Sequence, residues 1–450
     1  MTYAPATVRA SDTVADWRPE DATFWEATGK RLAWRTLWIT TANLTMAFIA
    51  WFLVSALVVR LPNIGFTFTP TQLFWLTAMP GLAGGSLRIV HTFLIPIYGT
   101  RRVVGWSTLS LLIPLVGLFY AVQDTGTPFW VLMVLAFAAG LGGGNFSSFM
   151  PSTSLYFPKR LQGTALAIQA GVGNFGVSVV QFLTPWIVGA ALVGGTVLGE
   201  PQVFTKGTAQ SPIWLQNAAI IYVPFVVVFG LMALTMLKSV PVRANVREQM
   251  DIFGNKHTWL MTSLYVMTFG SFSGFSATFP LLIKQVYGGL PGAPDPLAYA
   301  FYGPLIGSAL RVAAGPISDK LGGAIVTHVA GIGLLACTIA VTFFTAPTSM
   351  ETFPYFVGCM LGLFFFAGVG NASTFKQIPM ILPPRQAGGV IGWTGAVAAY
   401  GPFIFGMLFG ASFAATGSPN AFFFGAAVFY VINIAINWWF YTRKGAEAPC

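Results

Sequence analysis

Twelve predominantly apolar stretches run along the chain, at about 36–60, 71–98, 103–121, 128–156, 161–191, 212–238, 257–287, 298–318, 323–346, 352–381, 387–413 and 420–442. Polar segments rich in Gly, Pro and charge separate them. Each stretch is near or above the ~20 residues that a tilted helix needs to cross a bilayer. The pattern therefore predicts an all-α membrane protein of twelve transmembrane helices. It divides the chain into an N-terminal tail (1–35), a six-helix half (36–238), a linker (239–256), a second six-helix half (257–442) and a C-terminal tail (443–450).

Composition and charge place this architecture in lipid. Charged residues are 8% of the 450 and hydrophobic residues 55%, against about 25% charged in an ordinary globular chain. A secreted or cytosolic enzyme is excluded, and a transporter rather than an enzyme is expected. The first 35 residues hold no apolar run, so no cleavable leader is expected. Seventeen basic residues fall on the side of the tails: Arg9, Arg18, Lys30, Arg31, Arg35, Arg101, Arg102, Lys159, Arg160, Lys238, Arg243, Arg247, Lys256, Lys320, Arg385, Arg443 and Lys444. The opposite loops hold three, Arg60, Lys206 and Lys284. The positive-inside rule then places both termini in the cytoplasm, and the net charge of +10 is a sign of topology rather than of a nucleic-acid partner. The three cysteines and three histidines show no metal-ligand spacing, so neither a metal nor a cofactor is expected.

The chain repeats itself at about half its length. Gly84-Gly85-Ser86-Leu87-Arg88 in the second stretch answers Gly307-Ser308-Ala309-Leu310-Arg311 in the eighth, the arginines 223 positions apart. Each arginine follows a glycine by four residues and precedes a loop glycine, Gly99 or Gly322, by eleven. Ala139-Gly140-Leu141-Gly142 answers Ala367-Gly368-Val369-Gly370 at an offset of 228, and Pro158-Lys159-Arg160 answers Pro384-Arg385. Twelve spans in two similar halves, with Gly315-Pro316-Ile317-Ser318-Asp319-Lys320-Leu321-Gly322-Gly323 between the second and third helix of the second half, resemble the layout of the major facilitator superfamily. A duplicated channel or receptor is the alternative.

Setting aside those at the ends of stretches already counted with the loops, three basic residues remain inside: Arg88, Arg311 and Lys376. No Asp or Glu accompanies them there. A buried cation costs roughly 2.5–3.5 kcal/mol on insertion scales, so a substrate anion is the natural counter-ion. Arginine's planar fork offers two parallel N–H bonds to a planar oxyanion. Two guanidiniums about 8 Å apart repel by roughly 2 kcal/mol at an effective dielectric near 20, whereas a monoanion about 4 Å from both gains roughly 8 kcal/mol before its dehydration. Such a site resists closing when empty and closes when loaded. Lys376 either lines the pathway or snorkels to the helix end. His91, three residues after Arg88 and on the same helix face, is read as a buried hydrogen-bonded histidine, with proton carriage as the alternative.

Gly171-Val172-Gly173-Asn174-Phe175-Gly176 has the spacing of a dinucleotide-binding turn but lies inside an apolar stretch, with no acid before Glu200. It is rejected as such, and the absence of a Gly-Lys-Ser/Thr loop removes ATP as the energy source. Close helix packing explains most of these glycines, and Asn145 and Asn174 offer amide donors among them. This segment and Gly140-Leu141-Gly142-Gly143-Gly144-Asn145-Phe146 through Phe157-Pro158-Lys159 resemble the signatures of the nitrate/nitrite porters. The segments around Arg88, from Thr268 through Phe269 to Ser276, and from Arg311 to Gly323, are similar to the bacterial NarK-type branch; the likeness runs from about 36 to 440.

The resemblance implies a multi-pass carrier of the bacterial inner membrane that supplies nitrate for assimilation, works as a monomer, and has nitrate, nitrite and lipid as its partners. It implies nitrate between Arg88 and Arg311, sandwiched by Phe146 and Phe269, with hydrogen bonds from Tyr265 and Asn174. The second half departs from the pattern: Gly388 to Gly395 matches the second signature loosely, and Lys376 stands where the antiporter branch has an uncharged residue. Nitrate/nitrite antiport by alternating access is therefore the expectation. Nitrate/proton symport, with Lys376 or His91 as the protonated group, is the alternative, and a nitrate-sensing receptor is a third.

Overall fold

The computed structural model describes residues 13–14, 16–192, 198–240 and 250–450, except the side chains of Phe93, Pro96, Pro384 and Arg385. Of the basic residues used for sidedness, Arg9, Arg243, Arg247 and the Arg385 side chain lie outside the described set. Twelve helices among the described residues are long and apolar enough to span: α1 Ala22–Leu57, α2 Pro70–Thr92, α3 Ile97–Ala121, α4 Phe129–Tyr156, α5 Lys159–Val188, α6 Asn217–Met236, α7 Lys256–Tyr287, α8 Leu297–Leu321, α9 Gly323–Phe344, α10 Met350–Ile381, α11 Gln386–Thr416 and α12 Asn420–Thr442. Helices satisfy their own backbone groups, which lipid cannot do.

The first helix begins at Ala22 rather than near 36, which corrects the N-terminal boundary. The Asp21 carboxylate accepts from the Thr23 and Phe24 N–H groups and starts the helix. A stripe of Trp25, Gly29, Ala33 and Leu37 is buried, with Tyr156, Phe157, Ala165 and Val240 in the same cluster. The exposed Lys30, Arg31 and Arg35 hid that fourfold spacing. A second correction lies between α5 and α6, where the sequence read only a loop. There β1 (Gln202–Lys206) pairs antiparallel with β2 (Ala209–Ile213).

The repeat is visible as packing. Gly84 and Gly140 let α2 and α4 touch: a Cβ on Gly140 would lie 2.8 Å from the Gly84 nitrogen. Gly307 and Gly368 do the same for α8 and α10, where a Cβ on Gly368 would lie 2.4 Å from the Gly307 oxygen. The loop glycines also match. Gly99 has φ 75 and Gly322 φ 91, a region open to glycine and strained for other residues.

Contacts between the halves gather at mid-membrane and toward the face opposite the termini, here the far face. The α2–α11 seam is nearly bare backbone, with a Cβ on Gly81 falling 2.4 Å from the Phe403 nitrogen. In α5, Gln181 donates to the Ser276 carbonyl of α7 at 2.8 Å. Farther out, Arg60 pairs with Asp295, Lys284 donates to the Val59 carbonyl and to Asn63, and Lys206 donates to the Ala293 carbonyl at 2.5 Å. Toward the face that carries the termini, a Cβ on Gly163, Gly315 or Gly388 would meet nothing within 4 Å. The molecule is closed on the far face and opens toward the terminal one.

Candidate functional site

Arg88 sits four residues before the end of α2, fully buried. Its Nε donates to the Gly143 carbonyl of α4 at 2.9 Å, and Nη1 donates to the Gly395 carbonyl of α11 at 2.6 Å. One guanidinium thus joins both halves. Glycine at 143 is required by the packing, since a Cβ there would lie 2.7 Å from Gly84 Cα. The guanidinium carbon lies 4.6 Å from the Phe146 ring centroid, 5.2 Å from Phe269 and 5.3 Å from Trp51. The ring faces offset part of the cost of a desolvated cation. The Nη2 end has no partner among the described residues.

Arg311 is the equivalent residue of α8 and is 8% exposed. Its Nη2 donates to the Tyr265 hydroxyl at 3.2 Å, while Nη1 is buried without a partner among the described residues. Its guanidinium carbon lies 5.6 Å from Phe269 and 5.5 Å from Phe375. Both arginines therefore face the one Phe269 ring. Tyr265 and Phe269 stack with centroids 5.4 Å apart and planes 5° from parallel. Tyr265 immediately precedes, and Phe269 lies within, a turn of π-helix, Val266–Gly270, inside α7. Such turns are rare, and they tend to mark functional positions.

The Phe146 and Phe269 rings, one from each half, lie 6.4 Å apart at 28°. A planar anion held between two faces needs roughly 7 Å at carbon contact distances of about 3.5 Å. The rings therefore stand just short of the width that such an anion would occupy. No Asp or Glu is buried among the described residues, so the two free guanidinium ends have no protein carboxylate to meet.

The remaining sequence-predicted residues divide. Asn174 is fully buried, and both polar atoms of its amide lack partners among the described residues. It shares a face of α5 with Gly171, whose Cβ would strike Val312 of α8 at 2.4 Å, and with Gln181, which bonds α7. That face looks toward the other half. His91 Nδ1 meets the Ser148 hydroxyl of α4 at 2.9 Å. Lys376 requires a correction. Helix α8 runs on to Leu321, which places Asp319 on its last turn, and that carboxylate pairs with Lys376. The Lys376 side chain is 40% exposed. Among the described residues, the buried cations of the spans without a carboxylate partner are thus the two arginines, and Lys376 is compensated near the terminal face.

Trp51 and Phe375 were missed, although each supplies a ring to an arginine. Phe375 stands beside Lys376 in sequence, one turn beyond Asn371, and its ring lies 4.5 Å from Tyr265. The loose glycine run of α11 also gains a reason, because Gly395 offers Arg88 its carbonyl.

The major facilitator superfamily model matches residues 39–375. The probable nitrate/nitrite antiporter NarK2 of Thermus thermophilus is 66% identical, covering 97% of this chain and 98% of its own. The nitrate/nitrite transporter NarU of Escherichia coli K12 is 39% identical, over 95% and 96%. Among solved structures, a bacterial homologue of the human lysosomal transporter Spinster, inward-facing and unoccupied, aligns with a TM-score of 0.67 at 16% identity. That alignment covers 90% of this chain and 96% of that one, and at this identity the likeness is one of fold alone. Fold, repeat and full-length relatives agree: the chain belongs to the NarK-type nitrate/nitrite porters of the major facilitator superfamily.

Proposed function

We propose that this protein carries nitrate into the bacterial cytoplasm in exchange for nitrite, as a monomer in the inner membrane with both termini cytoplasmic. The observation that carries the reading is the pair Arg88 and Arg311: both are buried, both face Phe269, and each has one unpartnered N–H end. In this reading a nitrate between Phe146 and Phe269 receives a hydrogen bond from each free end, with Tyr265 fixing the Arg311 fork and Asn174 donating from α5. The family names of the relatives support the choice of anion.

Exchange follows from charge. Two guanidiniums brought together without an anion repel by about 2 kcal/mol at 8 Å and an effective dielectric near 20, and their desolvation adds to that. A planar monoanion reverses the sign. The halves therefore rock when loaded and stall when empty, so nitrate entry requires an anion to leave. The basic tail side supports a cytoplasmic placement of the termini, and the present form then opens to the cytoplasm.

The test is nitrate entry into proteoliposomes with nitrite inside, without nitrite, and with an imposed pH gradient. Entry that requires internal nitrite and ignores the gradient is expected. Entry into nitrite-free vesicles driven by an acidic exterior would replace exchange with proton symport.

A further inference from the structure

Asn371 lies in α10 and was assigned no role by the sequence. It is fully buried, and neither its amide nitrogen nor its amide oxygen has a partner among the described residues. A side-chain amide wants up to four hydrogen bonds, and burying one unmet is unfavourable. Its neighbours along the helix show where it points. Gly368, three residues before, packs its missing Cβ against the Gly307 backbone of α8. Phe375, four residues after, lays its ring 5.5 Å from the Arg311 guanidinium carbon. Residues 368, 371 and 375 form one stripe on a helix, and that stripe faces α8. The adjacent stripe looks elsewhere, since Ser373 and Gln377 bond Thr327 of α9.

Height along the membrane agrees. The chain runs in the same direction through α8 and α10, and Gly307 is level with Gly368. Four residues on from Gly307 is Arg311, and three on from Gly368 is Asn371. The amide and the guanidinium leave their helices at one level, and Arg311 Nη1 is itself unpartnered. The asparagine of the matching glycine run in the first half, Asn145, lies two positions off the 228-residue register and differs: it shares a stripe of α4 with Gly142, which packs on the Ala47 backbone of α1. The amide at 145 is turned toward α1, whereas that at 371 is turned toward the second arginine.

We propose that Asn371 is a further substrate-contacting residue, whose amide donates a fourth hydrogen bond, beside Arg311, to the bound oxyanion and thereby favours nitrate over nitrite. The inference rests on the anion reading above. Nitrate has three oxygens: one for Arg88, one for Arg311, and a third for the amides of Asn371 and Asn174. Nitrite has two, so its binding leaves one of these buried donors unmet, and a site that loses a hydrogen bond discriminates against the ligand that lacks it. The Asn371 oxygen is free to accept from Arg311 Nη1, which would hold the amide with its nitrogen toward the anion.

The experiment is thermal stabilisation of the purified full-length protein by sodium nitrate and by sodium nitrite, for wild type, Asn371→Leu and Asn371→Asp. Replacement by leucine should raise half-saturating nitrate about tenfold, the cost of one good hydrogen bond, and change half-saturating nitrite by less than about threefold. The aspartate variant places a carboxylate beside Arg311. It should fold with a higher melting temperature in the absence of anions, lose its response to nitrate, and keep the proposal testable if the leucine variant is unstable. A leucine variant within twofold of wild type for nitrate, or equal losses for both anions, would overturn the role of Asn371. An aspartate variant that binds nitrate like wild type would do the same. A wild type that responds to neither anion would instead overturn the proposed function.

Discussion

The two arginines occupy matched places in the repeat, yet their surroundings differ. Arg88 is held by two carbonyls, one in each half, and faces three rings. Arg311 is held by one tyrosine hydroxyl from its own half and faces two. The same residue at the same repeat position thus serves as a tie between halves in one case and as an adjustable arm in the other. Internal symmetry fixes where a charge sits. The freedom of that charge is set by what the partner helices bring to it.

Substituting the arginines tests that contrast most severely. Replacing either with lysine keeps the charge but removes the fork, and uptake should fall at least about a hundredfold, as expected from losing two or more charge-assisted bonds. Near-normal exchange by Arg311→Lys would sink the clamp. The two should part in stability: Arg88→Lys abandons the Gly143 and Gly395 carbonyls and should lower the melting temperature without anion, whereas Arg311→Lys should leave it nearly unchanged. A smaller effect is expected from Tyr265→Phe, which removes the one hydrogen bond on Arg311 and no packing. Half-saturating nitrate should rise by roughly three- to tenfold, and a variant equal to wild type would mean that Arg311 needs no positioning. The smallest belongs to Gly395→Ala. A Cβ there would stand 3.9 Å from Arg88 Nη1, an ordinary contact, and transport should change less than about twofold. A large loss would show that α11 must come closer to Arg88 during the cycle than it does here.

Much of this was legible in the chain because the relevant signals are local or repeated. Spans announce themselves by length and hydropathy, and Arg88 and Arg311 announce themselves by their common spacing from Gly84 and Gly307. Phe146 and Phe269 came through resemblance, and the structure lays Phe269 next to both charges and Phe146 next to Arg88. What could not be read depends on contacts between distant segments. Trp51 and Phe375 are two rings among 41 phenylalanines and 14 tryptophans, and nothing local distinguishes them. The partner of Lys376 was hidden because Asp319 sits on the final helical turn, just past residue 318, where the hydropathy reading ended. The start of α1 was hidden for the opposite reason: exposed charge covered a buried stripe that only the docking of α1 on Tyr156 and Phe157 reveals.

The outer seal has one more implication. All three basic residues of the far face, Arg60, Lys206 and Lys284, are engaged in ties between the halves while that face is shut. Parting the halves releases them together, at the rim of the cavity that forms. A cluster of one sign at a mouth raises the local concentration of opposite ions, over a range of about 8 Å at physiological ionic strength. The lock of the closed far face thereby becomes the lure of the open one, and capture of anions at the far face should weaken as inert salt is added, while release at the terminal face should not.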